Sequence, residues 1–140
     1  MPRQTNNYVQ VYLHFVWGTK LGLPNIDSEI ESALAKIFHA KAHELDMELI
    51  SFGGTEDHIH ILIKTNATLS PHLIAKHFKG ASSHYINHVM YPDGSKNFYW
   101  QGGYGVISVS PKDVSMIRKY IQNQKDHHAQ SRLIRELEMS

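Results

Sequence analysis

The chain has 140 residues and a formal net charge of +1, so its length indicates one domain and its charge does not mark it as a nucleic-acid binder. It contains no cysteine, which excludes disulfide scaffolds and thiolate metal sites. No apolar run approaches the roughly 20 residues that a membrane span needs, and the N-terminus has no apolar signal-peptide segment. We therefore expect a soluble intracellular protein whose single domain spans residues 1–140.

The charged residues are unevenly distributed along the chain. Residues 26–57 contain two Lys and eight Asp or Glu, whereas residues 70–128 contain seven Lys or Arg and three Asp. This asymmetry predicts an acidic side and a basic side. A solvated charge pattern without a function explains the same numbers equally well.

The first half of the chain has the patterns of a strand, a helix and two further strands. Apolar and other residues alternate over residues 8–17, which is the period of a strand. A helix is predicted from about Ser28 to Leu45, with Ser28 and Glu31 as a capping box. Two strands follow, over residues 47–54 and 58–64, and a short turn joins them.

The second half predicts a helix, a strand and a final helix. Ser70 and Pro71 have the pattern of an N-cap followed by proline, so a helix is predicted from there to about Val89. Residues 98–110 indicate a strand with a glycine interruption. The cap-and-proline pattern recurs at residues 110–111 and begins a helix that is predicted to reach His128 or beyond.

This order of elements predicts a ferredoxin-like or RRM-like α+β fold, with one antiparallel sheet and a C-terminal helix that carries Tyr120. Helices would cover one face of the sheet. We expect the other face to be open for binding or dimerisation.

Two histidines in the strand over residues 58–64 form the first candidate site. Residues two apart share a face, so the Cα atoms of His58 and His60 should lie roughly 6.6 Å apart, with both side chains on the face away from the helices. Two imidazoles at that spacing can hold one metal ion, because histidine is the commonest protein metal ligand. For an isolated pair, two partly exposed histidines that make hydrogen bonds are the better explanation. Asp57 is placed to hydrogen-bond one of them.

The last helix provides the second candidate site. Tyr120 and Gln124 are four residues apart and therefore neighbours on one helix face. The alternative is that Tyr120 packs at the edge of the core and that Gln124 is a solvated residue. His127 and His128 follow one turn later, where a positive charge near a helix end is favourable, and this explanation is preferred over metal ligation.

Five segments in this order resemble the single-tyrosine transposases of small bacterial insertion sequences, the IS200-like members of the His-hydrophobe-His endonuclease superfamily. The segments are YLHFVWGTK, EDHIHILI, FKGASSHYI, WQGGYGVISVS and YIQNQ. The resemblance covers nearly the whole chain and includes the Lys-Gly-x-Ser pattern that is usual in the second helix. That helix differs from the family in having His84 and several small or polar residues where relatives are often richer in arginine.

The resemblance implies a DNA transposase that cuts and rejoins single-stranded DNA at insertion-sequence ends and recognises DNA hairpins. Tyr120 would be the nucleophile and would form a covalent phosphotyrosine intermediate. His58, His60 and Gln124 would hold Mg²⁺ or Mn²⁺. The resemblance also implies a homodimer with active sites shared between subunits, and a cytoplasmic, nucleoid-associated location in a bacterium or archaeon.

Basic and aromatic side chains are candidates for contacts with DNA. The candidates for phosphate contacts are Lys76, Lys79, Lys96, Lys112, Arg118, Lys119 and Lys125. Tyr8, Tyr12 and His14 lie on the polar face of the first strand and could stack on unpaired bases. Taken singly, each of these residues is more simply explained as part of a solvated surface.

Two other functions fit parts of the sequence. One is a non-catalytic, domesticated nucleic-acid-binding module of the same fold, since many RNA-binding domains are sheets that carry aromatic residues. A module that had lost catalysis would be free to lose its site residues, but the sequence retains all four of them: His58, His60, Tyr120 and Gln124. The other is a small metal hydrolase with a different substrate, which explains the histidines but not Tyr120.

Overall fold

The computed structural model describes residues 7–124. Its strands are β1 (Val11–Gly18), β2 (Glu48–Gly54), β3 (His58–Thr65) and β4 (Gly105–Val109), and its α-helices are α1 (Ser28–Glu44), α2 (Pro71–Tyr85) and α3 (Val114–Gln122). The strands form one antiparallel sheet in the order β2–β3–β1–β4. This topology confirms the predicted ferredoxin-like α+β fold. No helix in the described part of the chain is both long and apolar enough to cross a membrane.

The main hydrophobic core lies between the sheet and the helices α1 and α2. Ile59, Ile61 and Ile63 of β3 are fully buried there, as the alternation in the sequence predicts. Phe38 of α1 and Phe78 of α2 pack against each other with ring centroids 5.4 Å apart. The opposite face of β3, which carries the histidines, is therefore turned away from this core.

Helix α3 lies on that opposite face, so the expectation that the second face of the sheet is open is wrong for the part that α3 covers. Ile121 is fully buried and forms a second apolar cluster with Leu62 and Val109. The backbone of α3 comes so close to β2 that a Cβ atom added at Gly53 would overlap the carbonyl group of Ile121. Two features thus place α3 against the sheet: the apolar side of the helix, and Gly53 of β2, which leaves room for the helix backbone.

The starts of helices α1 and α2 agree with the predictions from the sequence, but only one of the two predicted caps is present. Ser70 caps α2, with its side chain accepting a hydrogen bond from the Leu73 amide, as predicted. Helix α1 is capped by Asp27, whose side chain accepts from the Ile30 amide at 2.8 Å, and not by Ser28. The predicted capping box is wrong because the cap lies one residue earlier in the chain.

Three further boundaries differ from the predictions. The first strand begins at Val11, and the predicted strand over residues 98–110 is reduced to β4, preceded by one isolated bridge between Thr19 and Trp100. The predicted end of the second helix near Val89 does agree with the structure, where residues 86–90 continue α2 as a π-helical turn. A 3₁₀ turn over residues 111–113 precedes α3, and the predicted extension of this helix to His128 lies outside the described residues.

Candidate active site

The two histidines lie side by side at the start of β3, in the centre of the sheet. His60 pairs with Val16 of β1 on one side and with Gly53 of β2 on the other. The ring centroids of His58 and His60 are 5.3 Å apart, and the rings are inclined by 74°. His60 is fully buried and the side chain of His58 is 12% exposed, so both imidazoles are withdrawn from bulk solvent.

Hydrogen bonds from the preceding turn hold the ring of His58. Its Nδ1 atom lies 2.9 Å from the Asp57 carboxylate and 3.0 Å from the Thr55 hydroxyl, which in turn donates to the same carboxylate at 3.1 Å. Because a carboxylate oxygen accepts, the hydrogen of the neutral imidazole resides on Nδ1. The buried Nε2 atom then carries the lone pair that a metal ligand needs. The Asp57 contact expected from the sequence is present.

A third histidine, His14 of β1, holds the ring of His60. The Nε2 atom of His14 lies 2.8 Å from the Nδ1 atom of His60, and the two ring centroids are 5.0 Å apart. His14 is only 3% exposed, so its ring has no open face for a nucleic-acid base in this conformation. Its position differs from the expected one on an open surface, because α3 and its neighbours cover this part of β1.

Tyr120 lies beside the histidines of its own chain. Its ring centroid is 5.6 Å from that of His60 at an interplanar angle of 89°, and 6.3 Å from that of His14. Its hydroxyl oxygen is buried, and Ile121 in the next position fixes the helix against the sheet. The structure therefore brings together the tyrosine and the histidine pair that the sequence predicts as one site.

Gln124 follows α3 and is 1% exposed, so it is a buried residue and not the solvated one of the alternative. It lines a small cavity together with Gly53 and Gly54 of β2, which pair with His60 and Ile59 of β3. Its amide nitrogen and oxygen have no hydrogen-bond partner within residues 7–124. A buried amide in that state is costly unless a further group satisfies it.

The donor chemistry of this site suits a divalent cation. His58, whose Nδ1 donates to Asp57, presents Nε2 as a donor atom for a metal ion, and His60 presents the same atom when its Nδ1 donates to His14. The Gln124 amide oxygen is a further neutral donor of the type that binds divalent cations. The described residues contain no group of three His, Asp or Glu side chains arranged for a metal ion, so a third protein ligand from this part of the chain would have to be of another type. Gln124 has a side chain of another type, and the cavity that it lines is bounded by residues 52–54 of β2.

The residues predicted to contact DNA are placed in several different surroundings. Lys76, Lys112, Arg118 and Lys119 are exposed, and Tyr12 is half-buried against the cluster that anchors α3. Among the weaker candidates, Tyr8 is exposed, while Lys96 forms an ion pair with Asp27 at 2.7 Å. Lys125, His127 and His128 lie outside the described residues.

Lys79 differs from the other lysines because it is held by the protein itself. Its ammonium group donates hydrogen bonds to the carbonyl oxygens of Gln101 and Gly103 at 2.7 and 2.8 Å. Desolvation by partial burial lowers the pKa of this group. The side chain therefore fastens the segment that precedes β4 to helix α2.

The contact between His14 and His60 was not predicted from the sequence. A signal for it was present, since His14 lies on the same face of β1 as Tyr12 and the ferredoxin-like order places β1 next to β3. The hydrogen bonds of Thr55 to Asp57 and His58 were also missed. A threonine in a short turn has no pattern that distinguishes it from an ordinary turn residue.

Comparison with known proteins identifies the family. A profile of the family described as "Transposase IS200 like" matches residues 7–124 of this chain. The ISDra2 transposase TnpA of Deinococcus radiodurans is 26% identical to it over 121 residues, which cover 84% of this chain and 86% of that protein.

Two solved structures share the fold. The crystal structure of a candidate transposase from Deinococcus radiodurans R1 superposes with a TM-score of 0.69 at 23% identity, covering 89% of this chain and 98% of that one. A REP-associated tyrosine transposase bound to a REP hairpin superposes with a TM-score of 0.64 at 14% identity, covering 91% and 74%. With the family profile spanning every residue that the structure describes, the chain belongs to the family of IS200-like transposases.

Proposed function

We propose that this protein cuts and rejoins single-stranded DNA at the ends of an insertion sequence, with Tyr120 as the nucleophile. The observation that carries the proposal is the contact of Tyr120 with His60, whose ring centroids are 5.6 Å apart in a buried site. The Tyr120 hydroxyl oxygen is buried, and the ring centroid of a second buried histidine, His14, lies 6.3 Å from that of Tyr120. Family membership supports the same activity.

Tyr120 would supply the covalent step. Its phenol oxygen forms a bond to the phosphorus of a phosphodiester while the bond from phosphorus to one deoxyribose oxygen breaks, and that oxygen leaves as a hydroxyl group. A phenol ionises near pH 10 in water, so Tyr120 must lose its proton as it attacks. The phosphotyrosine link retains an ester bond, so attack by a DNA hydroxyl rejoins the strand and releases the tyrosine without ATP.

His58, His60 and Gln124 would hold a divalent cation, Mg²⁺ or Mn²⁺. When bound, the ion polarises the phosphate and stabilises the charge of the transferring group. All three protein ligands are neutral, so they leave the positive charge of the site intact for an anionic substrate. Two imidazoles favour Mn²⁺ in affinity, whereas availability in cells favours Mg²⁺.

His14 and Asp57 would be positioning residues in this proposal. Asp57 fixes the ring of His58 with Nε2 as the ligand atom. For His60 to offer Nε2 as well, its Nδ1 must donate the hydrogen bond and His14 must accept it. His14 would therefore determine the tautomer of His60.

The experiment that tests the proposal is the trapping of a covalent adduct. A labelled single-stranded oligonucleotide that contains a hairpin is incubated with the protein and Mn²⁺ or Mg²⁺, and the mixture is denatured and separated by electrophoresis. We expect a protein–DNA adduct with the wild type and none with Tyr120→Phe or in the presence of a chelator. Phenylalanine keeps the ring and removes only the hydroxyl, so folding is preserved.

An adduct that persists in Tyr120→Phe would contradict the assignment of the nucleophile. Tight DNA binding by the wild type with no adduct, on DNA that contains the ends of its own element, would favour the non-catalytic nucleic-acid-binding module instead.

The proposed partners are hairpin-containing single-stranded DNA and a second copy of the chain. A solved neighbour of the same fold is bound to a REP hairpin, which supports hairpin recognition by this protein. We propose that DNA phosphates are contacted by four exposed basic residues, namely Lys76, Lys112, Arg118 and Lys119. We also propose that the protein is a homodimer in the cytoplasm of a bacterium or archaeon. The mixed dimer described below tests whether the two subunits share their active sites.

A further inference from the structure

The Lys-Gly-x-Ser segment of α2 builds one wall of a cavity that the proposed chemistry does not use. Lys79 holds the carbonyl groups of Gln101 and Gly103, and Ser82 accepts a hydrogen bond from the Trp100 indole at 2.9 Å. Both side chains thus fasten residues 99–104 to the helix. Between the helix and this segment lies an open cavity of about 420 Å³.

Gly80 of the same segment has no explanation in the packing of the protein. Glycine is less favourable than alanine in the interior of a helix. A Cβ atom added at Gly80 would meet no heavy atom of the described residues within 4 Å, and Gly80 lines the cavity. A glycine at such a position is expected where another molecule approaches the helix backbone closely.

The chemistry of the cavity fits a nucleotide of single-stranded DNA. Tyr99, Trp100 and Tyr104 supply aromatic walls, and exposed Lys76 supplies a positive charge at the rim. No carboxylate occurs among the described residues that line it. Aromatic side chains bind unpaired bases by stacking, and lysine attracts the phosphate beside the base.

The position of the cavity connects it to the candidate active site. Residues 101–104 separate this cavity from a second one and contribute to the walls of both. The second is a cleft of about 380 Å³ that is also lined by Asp57 and His58. A DNA strand that lies across the two glycines at 102 and 103 would therefore reach the cavity from His58. Bulky side chains at those two positions would obstruct that path.

We propose that this cavity is a subsite for one unpaired nucleotide that flanks the cleaved phosphodiester. This inference rests on the proposed function for the nature of the substrate. It assigns the Lys-Gly-x-Ser segment a role in substrate binding. Lys79 and Ser82 would position the segment before β4, and Gly80 would leave room for the nucleotide beside the helix backbone.

The test fills the cavity from the helix without disturbing the fold. Gly80→Met places a flexible side chain into the cavity and also raises helix propensity, so its melting temperature should not fall below that of the wild type. Ala40→Met, on the exposed face of α1, is the matched control for an added surface methionine. Binding is measured by fluorescence anisotropy with labelled oligothymidine of about 20 nucleotides, longer than the single-strand sites of about 4–16 nucleotides known in other proteins.

We expect Gly80→Met to weaken binding of the single strand by about tenfold, which corresponds to the loss of one stacked base. Gly80→Ala should have a smaller effect, and Ala40→Met should bind as the wild type does. A strand containing 5-iododeoxyuridine should photocrosslink to the wild type at Tyr99, Trp100 or Tyr104. Wild-type affinity in Gly80→Met, or crosslinks found only at other residues, would overturn the inference.

The covalent-adduct experiment separates this inference from the proposed function. Failure of the inference alone would leave the Tyr120-dependent adduct intact, with Gly80→Met binding and reacting like the wild type. Failure of the proposed function alone would leave the weaker binding of Gly80→Met intact, with no adduct formed by any variant.

Discussion

Among individual residues, the direction of one hydrogen bond decides whether His60 can serve as a ligand. If His14 donated to His60, the hydrogen of the neutral His60 ring would lie on Nε2, and that atom could not bind a metal ion. The opposite direction, with His60 donating across the same 2.8 Å, leaves Nε2 with its lone pair. The buried pair is thus compatible with two tautomers, and a metal ion bound at Nε2 of His60 would require the second of them.

We predict that His14→Leu lowers Mn²⁺ affinity by about 10- to 100-fold, the range found when such supporting hydrogen bonds are removed. His14→Gln should retain most of the affinity, because its side-chain oxygen can accept the hydrogen bond at a position near that of the lost Nε2. Isothermal titration calorimetry of the two variants measures the difference directly. Equal affinity of His14→Leu and the wild type would contradict the role of His14.

The ease with which each site residue was predicted depends on how local its contact is. The Asp57–His58 contact joins sequence neighbours, so the sequence suffices to suggest it. The His14–His60 contact joins residues 46 positions apart on adjacent strands, and it depends on the register of β1 against β3. Register follows from the whole sheet, which is why this contact appears only in the structure.

Among the elements, α1 shows how a helix start is set by one side chain. Asp27 accepts a hydrogen bond from the Ile30 amide and also receives one from the Lys96 ammonium. The Lys96 contact is the main cause of the lowered pKa of this carboxyl, and the Ile30 amide adds to it. A lowered pKa in the folded state means that the stabilisation is present above about pH 4, the unfolded value, and is lost as the pH falls through the lower folded value.

We predict that Asp27→Ala destabilises the protein by about 1 kcal/mol, the usual effect of losing an N-cap. Ser28→Ala should change stability by less than about 0.5 kcal/mol, because Ser28 does not cap the helix. Urea unfolding of both variants at neutral pH measures the difference. The reverse order of the two effects would restore Ser28 as the cap.

Helix α3 shows what pattern reasoning can and cannot provide for an element. The apolar stripe of Val114, Ile117 and Ile121 was recognisable from the sequence, and these residues do face the sheet. The face of the sheet on which the helix lies was not recognisable, because a stripe of this type packs equally well on either apolar surface. The close approach at Gly53 becomes meaningful only when the fold is known.

For the whole molecule, the question is whether a site is completed within one chain or between two. In the single chain that the structure describes, Tyr120 lies beside His60, an arrangement that fits a site in cis. The resemblance to the family implied a homodimer with shared sites. The two arrangements predict different behaviour for a dimer that combines two inactive subunits.

We predict that a mixed dimer of one His58→Ala subunit and one Tyr120→Phe subunit forms no covalent adduct, because every chain then lacks one part of its own site. The mixed species is obtained by co-expression with two affinity tags and sequential purification. Adduct formation by this species would show that the tyrosine acts on the partner's histidines. Failure to recover any doubly tagged species would contradict the proposed homodimer.

The order of the elements was the part of the fold most readily predicted, because strand and helix periods are strong in β1, α1, β3 and α2. The segment before β4 was predicted least well, since residues 99–104 contain aromatic residues typical of a strand but are held by side chains of α2. Such tertiary hydrogen bonds override local preference.

The helices on the two faces of the sheet are held by apolar contacts of very different extent, so they should differ in how readily they detach from the sheet. Helices α1 and α2 share a large apolar core with the sheet, whereas α3 is fastened by the small cluster of Leu62, Val109 and Ile121. Elements with little buried apolar contact open at a lower free energy than the global unfolding of the protein. The amides of α3 should therefore exchange with deuterated solvent earlier than those of β3, and Tyr120 would leave and rejoin the histidines while the rest of the domain stays folded.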